Sequence, residues 1–155
     1  MTRIHCAQKI LGAMALAMMS VGGVLAADDQ PYRTVDGLNV YLGVMPSAMM
    51  QRQLKAAMQH HAAAPGKHAY HVTVAVFDAT SGERRQDINV RARVAALGLS
   101  GPEKALQPMT IADTVTYGNF FIMPPNDTYR IQVEIRRPDR TDPVRAEFDY
   151  EHRPR

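Results

Sequence analysis

Alternation of apolar and polar residues is the dominant pattern in this chain, and it predicts strands. The stretches that share a period of two are residues 37–44, 71–78, 88–96, 129–136 and 144–150, and residues 115–123 are predicted to form another strand. A further stretch, residues 106–112, is interrupted by Pro108 and is expected at a sheet edge. About seven strands with one apolar face each predict an all-β fold, an antiparallel immunoglobulin-like β-sandwich over residues 37–152.

One segment follows a helical period instead. Ser47 is a suitable N-cap, and apolar residues recur at three- and four-residue spacing over residues 48–60. We therefore predict one short helical insertion, residues 46–61, between the first two strands. Long insertions in compact domains often carry function. Residues 27–36 are polar and are predicted to form a flexible N-terminal segment.

The first 26 residues predict export. Arg3 and Lys9 precede an uncharged apolar stretch, residues 10–25, and Ala26 ends a cleavage motif of small residues. The apolar stretch is shorter than the roughly 20 residues that a membrane-spanning helix needs. A cleavable signal peptide over residues 1–26 is therefore favoured over an anchor. We expect a secreted, periplasmic protein with no membrane span after cleavage.

The leader also accounts for most of the apparent basicity. Of the 18 Lys and Arg residues, Arg3 and Lys9 lie in the leader. The mature chain therefore has 16 basic and 15 acidic residues, and its net charge is +1. No basic cluster indicates a nucleic acid partner. The only cysteine, Cys6, also lies in the leader. Disulfides, thiolate nucleophiles and thiolate zinc sites are therefore excluded from the mature chain.

The middle of the chain resembles a known type of exported domain. Residues 71–97 combine a strand, a turn ending at Gly82 and a second alternating strand, and residues 117–133 continue with Tyr-Gly-Asn-Phe-Phe, Met-Pro and Tyr-Arg-Ile-Gln-Val. These features resemble the YtkA-like and FixH-like periplasmic domains over residues 68–136. The resemblance implies an immunoglobulin-like fold, and some of these domains accompany copper handling and oxidase assembly. It assigns no ligand residue.

Methionines and histidines are concentrated between residues 45 and 71. Thioether sulfur and imidazole nitrogen suit Cu(I), and imidazole also suits Cu(II) and Zn(II). Copper is therefore the most plausible metal for a chain without mature cysteines. The candidate metal ligands are Met45, Met50, Met58, His60, His61, His68 and His71. The alternative is that these methionines fill gaps in the core and that these histidines are solvated.

Strand 115–123 is apolar on both faces. Tyr117 and Phe121 share one face, and Phe120 and Ile122 share the other. One face is expected in the core. The other is either covered by the helical insertion or exposed to a partner.

No catalytic constellation emerges from the sequence. The mature serines, Ser47, Ser81 and Ser100, do not lie in a nucleophile-elbow motif. The acidic residues alternate with apolar ones and are expected to pair with arginines across strands. We predict an exported, non-enzymatic accessory protein that binds or handles a metal ion. The alternative is a metal-free interaction module that binds a protein partner during envelope assembly.

Overall fold

Eight antiparallel strands make up the part of the domain that the structure describes. The structure, a computed structural model, describes residues 31–49, 66–111 and 113–153. The strands are β1 (Tyr32–Val35), β2 (Leu38–Pro46), β3 (Ala69–Asp78), β4 (Asn89–Ala96), β5 (Glu103–Ile111), β6 (Thr114–Ile122), β7 (Asp127–Arg136) and β8 (Val144–His152). The all-β prediction is confirmed. In these residues no helix is long and apolar enough to cross a membrane.

The strands form one sheet that nearly closes on itself. Their order is β1-β2-β3-β6-β5-β4-β7-β8, and each neighbouring pair is antiparallel. The first and last strands in this order lie against each other. There the Arg33 guanidinium is 5.1 Å from the centre of the Phe148 ring. The result is a sandwich-like or barrel-like domain around one core.

β5 connects the two halves of this sheet. Its residues 103–106 pair with β4, whereas residues 107–111 pair with β6. The prediction that Pro108 marks an edge strand is wrong, since β5 is internal. Pairing with β4 ends at Leu106, so one side of the strand is free at Pro108, which is where a missing N–H can be tolerated.

The N-terminal part of the domain also differs from prediction. Residues 32–35, expected in a flexible segment, form β1. The turn to β2 is Asp36-Gly37, and both residues have positive φ (47° and 76°), as a two-residue hairpin turn requires. β2 continues through Pro46 because its register with β3 extends to Tyr70. Of the predicted helical insertion, residues 47–49 are helical and the rest lies outside the described residues.

The core lies between the inner faces of the sheet. Every second residue of β3, from Val72 to Val76, is completely buried, and Ile131 and Ile135 of β7 are equally inaccessible. Of the two apolar faces predicted for this strand, the one with Tyr117 and Phe121 of β6 points into the core, whereas Ile122 is 53% exposed. The alternation seen in the sequence therefore corresponds to a single apolar interior.

The outer face of β4, β7 and β8 is solvated and charge-paired. Arg91 and Arg93 contact Glu103 at 2.6 and 2.9 Å, and Arg130 contacts Asp149 at 3.1 Å. The Arg91 hydrogen bond, followed by that of Arg93, lowers the pKa of Glu103. The Arg130–Asp149 pair is a cross-strand ion pair of the kind that the sequence predicted.

Candidate metal site

His71 is buried on the side of β3 that faces away from the core. Its side chain points to the opposite side of the strand from Val72, where solvent exposure would be expected, yet only 3% of its surface is exposed. Its ring centre is 4.8 Å from that of Phe120, which lies directly opposite on β6. The predicted face is correct. The idea that His71 is simply solvated is wrong, because outer-face residues cover the imidazole.

Burial sets the protonation state of this side chain. Desolvation lowers the pKa of His71 below its ordinary value of 6.5, so the imidazole stays neutral to lower pH than usual. Within the described ranges the ring makes no hydrogen bond. A neutral imidazole with a free lone pair is the form that coordinates a metal ion.

Gly118 of β6 provides the space that the His71 ring occupies. A Cβ at residue 118 would stand 2.7 Å from Cε1 and 2.8 Å from Nε2 of His71, and 3.0 Å from the Cε methyl of Met109. The Nε2 edge of the imidazole and the Cε methyl of Met109 therefore both lie within 3.0 Å of one point beside Gly118, on the same side of β6. This juxtaposition brings together two ligand types that suit copper.

Met45 lies on the opposite side of His71, on β2. The β2–β3 register sets Met45 directly opposite His71, and such cross-strand neighbours share a face with Cβ atoms about 4.5–5.5 Å apart. Met45 is half-buried. We refer to Met45, His71, Met109, Gly118 and Phe120 together as the His71 face.

The remaining predicted ligands lie elsewhere. His68 is in the turn before β3, has a positive φ of 62° and is half-buried. Its carbonyl oxygen accepts a hydrogen bond from the Met123 amide at 2.9 Å, which fixes the turn three residues before His71. Four further candidates lie outside the described residues: Met50, Met58, His60 and His61.

Met109 is the candidate ligand that sequence reasoning missed. It is distant from His71 in sequence, and only the combined β3–β6 and β5–β6 registers bring the two together. In the described part of the chain, no group of three or more His, Cys, Asp or Glu residues could hold a metal ion. A metal on the His71 face would therefore depend on thioether sulfur as well as on imidazole.

A second histidine, His152, is fixed by hydrogen bonds. Its Nδ1 is 3.1 Å from the Pro124 carbonyl oxygen, and its Nε2 is 2.6 Å from the Tyr70 hydroxyl. A carbonyl oxygen only accepts, so Nδ1 donates to Pro124, and in the tautomer with its proton on Nδ1 the ring accepts at Nε2 from Tyr70. Tyr129 donates to the same Pro124 oxygen at 2.8 Å. His152 therefore joins β8 to β3 and to the loop after β6, and both of its nitrogens are engaged.

Tyr70→Phe tests this structural assignment. Removing the hydroxyl leaves Nε2 of the buried His152 without its donor, and we expect the free energy of unfolding to fall by about 1–3 kcal/mol. Tyr32→Phe, at a 43% exposed position, is the matched control and should change it by less than about 0.5 kcal/mol. Urea unfolding of both variants measures the difference. Equal stabilities would show that the Tyr70–His152 bond contributes nothing.

Similarity to known proteins is confined to three-dimensional structure. No protein-family model matches the sequence, and no curated protein matches it. A DUF4426 family protein from Pseudomonas aeruginosa PAO1 superimposes with a TM-score of 0.59 at 15% identity, over 80% of this chain and 94% of that one. A copper-bound variant of FetP from uropathogenic Escherichia coli gives 0.61 at 12%, over 80% and 95%.

A third solved structure completes the comparison. A copper-bound variant of Campylobacter jejuni P19 gives a TM-score of 0.58 at 9% identity, over 78% of this chain and 93% of that one. The chain has the fold of these proteins. At such identities the likeness extends to the arrangement of strands and not to individual residues. The more specific YtkA-like and FixH-like resemblance has no counterpart among these structures.

Proposed function

We propose that this protein is an exported, non-enzymatic accessory protein that binds a copper ion on the His71 face. The proposed ligands are Nε2 of His71 and the sulfurs of Met109 and Met45. The observation that carries the proposal is that the His71 imidazole and the Cε methyl of Met109 converge on the same space beside Gly118. His68, in the turn before β3 and outside the His71 face, is not among these proposed ligands.

The surroundings of His71 fit a metal ligand better than a packing residue. A buried polar group normally has a hydrogen-bond partner, because leaving one unsatisfied costs about 1–3 kcal/mol. His152 follows that rule with two partners. The His71 ring has none among the described residues, although its side chain is as buried as that of His152. Its nitrogens are not among the fully enclosed, unpartnered nitrogens of the described residues, which are Nε of Arg84 and Nε of Arg137. A metal ion would give the ring a partner that no described residue supplies.

The comparisons support copper as the ion. Structures of FetP and P19 variants with this fold are copper-bound, and FetP was produced in the periplasm of E. coli. A shared fold does not by itself transfer function, so the argument depends on the ligand types of this chain. Imidazole and thioether, without thiolate, are a donor set suited to copper in an exported protein. The predicted leader over residues 1–26 agrees with that location.

Replacement of His71 tests the proposal. The purified protein should bind one copper ion, and His71→Leu, which keeps an apolar side chain in the buried space, should weaken binding by more than about a hundredfold. Even residues that only orient a ligand change affinity by about 10–100-fold. The measurement is a titration against a competing copper chelator, and urea unfolding confirms that each variant is folded.

The matched control is Thr73→Ser, two residues along the same face of β3. It retains a hydroxyl on a half-buried side chain and should leave copper affinity unchanged. If His71→Leu binds copper as tightly as the unmodified protein, the site is elsewhere and the proposal is wrong.

A second candidate function is metal-free protein interaction. Leu97 and Leu99, in the loop after β4, are 53% and 71% exposed, and Ile122 at the end of β6 is 53% exposed. Exposed apolar side chains are typical of contact surfaces when they form a contiguous patch. The copper titration tests the first function, and binding of a protein partner that is lost in Leu99→Ser would support the second.

A further inference from the structure

We infer that the His71 face selects copper in its monovalent state and discriminates against Cu(II) and other divalent ions. This inference rests on the proposed copper site and specifies which ion it takes. Two properties of the face carry it: the softness of its donors and the neutrality of the sheet positions around His71.

The donor atoms of the His71 face are soft. The side chains that meet around Gly118 are one imidazole and one thioether, with a second thioether on Met45 directly across β2–β3. Thioether sulfur is a soft ligand that selects Cu(I), whereas Cu(II) prefers tetragonal nitrogen and oxygen donors. In the part of the chain that the structure describes, no carboxylate belongs to a metal-holding group with His71. The donor set therefore favours the monovalent ion.

The side chains next to His71 on the sheet are neutral. The residues directly opposite His71 are Met45 and Phe120, and the next pairs on this face contain Gly43, Thr73 and Gly118. None of these side chains ionises. The cost of taking an ion out of water grows with the square of its charge, and it is large unless a counter-charge is present. A site of neutral ligands therefore penalises a divalent ion far more than a monovalent one.

Replacing each thioether by an isosteric hydrocarbon tests the selection. We would titrate the protein with Cu(I) under anaerobic reducing conditions and separately with Cu(II), each against a competing chelator, and repeat this for Met109→Leu and Met45→Leu. Each variant should bind Cu(I) at least about tenfold more weakly, a loss of about 1.4 kcal/mol. The matched control, Met123→Leu, removes a thioether from the core, where Met123 is completely buried, and should leave Cu(I) affinity unchanged.

X-ray absorption of the Cu(I) form gives a second readout, independent of affinity. We expect sulfur neighbours around the copper, and fewer of them in the Met109→Leu and Met45→Leu variants.

In the titrations, Cu(I) should bind to the unmodified protein about a thousandfold more tightly than Cu(II), a difference of about 4 kcal/mol.

The outcomes separate this inference from the proposed function. Equal affinities for Cu(I) and Cu(II), or Cu(I) binding that depends on His71 but not on the two methionines, would overturn the selection and leave the copper site standing. Binding of neither ion would overturn both.

Discussion

Gly101→Ala is expected to lower the free energy of unfolding by about 3 kcal/mol, at the upper end of what overpacking costs. A Cβ at residue 101 would stand 1.8 Å from the carbonyl oxygen of Val94, 2.6 Å from its carbonyl carbon and 2.9 Å from Cα of Ala95. All three atoms belong to the backbone of β4. Because β4 pairs with β5 on one side and β7 on the other, its backbone cannot move away from the added methyl as a flexible side chain could.

The loop before β5 must therefore move instead. Its retreat would break the hydrogen bond from the Val94 amide to the Pro102 carbonyl and the one from Arg93 to the Gly101 carbonyl. Ser100→Ala, at the exposed neighbouring residue, is the control and should change stability by less than about 0.5 kcal/mol. Urea unfolding compares the two. A loss below about 1 kcal/mol in the Gly101 variant would mean that the loop leaves β4 at little cost.

Gly118→Ala is expected to weaken copper binding by at least about tenfold, or about 1.4 kcal/mol, while the fold persists. The added methyl overlaps Cε1 and Nε2 of His71 and the Met109 methyl. These atoms are the ends of side chains, so they can move, but the proposed ligand pair must separate when they do. We expect a loss of about 1 kcal/mol in stability, because overpacking strain exceeds the gain of replacing a strand glycine.

Thr116→Ala provides the control for this variant, since it lies on the same face of β6 and adds no atoms to the space under His71. Its copper affinity should be that of the unmodified protein. The measurements are copper competition titration and urea unfolding on the same samples. Unchanged copper affinity in Gly118→Ala, with the fold intact, would show that the His71–Met109 juxtaposition is not the binding site.

The strands could largely be predicted because a period of two reflects burial on one side of a sheet. β1 was the exception, although the signal for it was present. Asp36-Gly37 is a strong hairpin dipeptide, and Tyr32 and Val35 precede it. Four residues with polar neighbours carry too little alternation to be recognised as a strand without the turn.

β5 illustrates a different limit. The presence of Pro108 correctly indicated that one side of its strand lacks a partner at that point, because the pairing with β4 ends at Leu106. The sequence could not tell that the other side continues along β6. Whether a strand is internal depends on long-range pairing, which local propensity does not encode.

The candidate site was predictable only in part, for the same reason. Alternation gave the face of His71, and composition directed attention to methionine and histidine. The contact with Met109 required two registers, and the burial of His71 on an outer face contradicts the assumption that outer positions are solvated. Gly118 could not be recognised either, since an isolated glycine in a strand indicates a close approach without naming the approaching group.

The nearly closed sheet also determines where the domain can open locally. Its strand order places β1 and β8 side by side without a ladder of hydrogen bonds between them, whereas β5 is bonded to both of its neighbours. Local opening starts where few backbone hydrogen bonds must break, so thermal fluctuations should part the domain along the β1/β8 seam, with β5 near the hinge. His71 lies on β3, bonded on both sides and away from that seam. The geometry around its ring should therefore survive such excursions, which keeps a binding site preorganised while the edge of the protein moves.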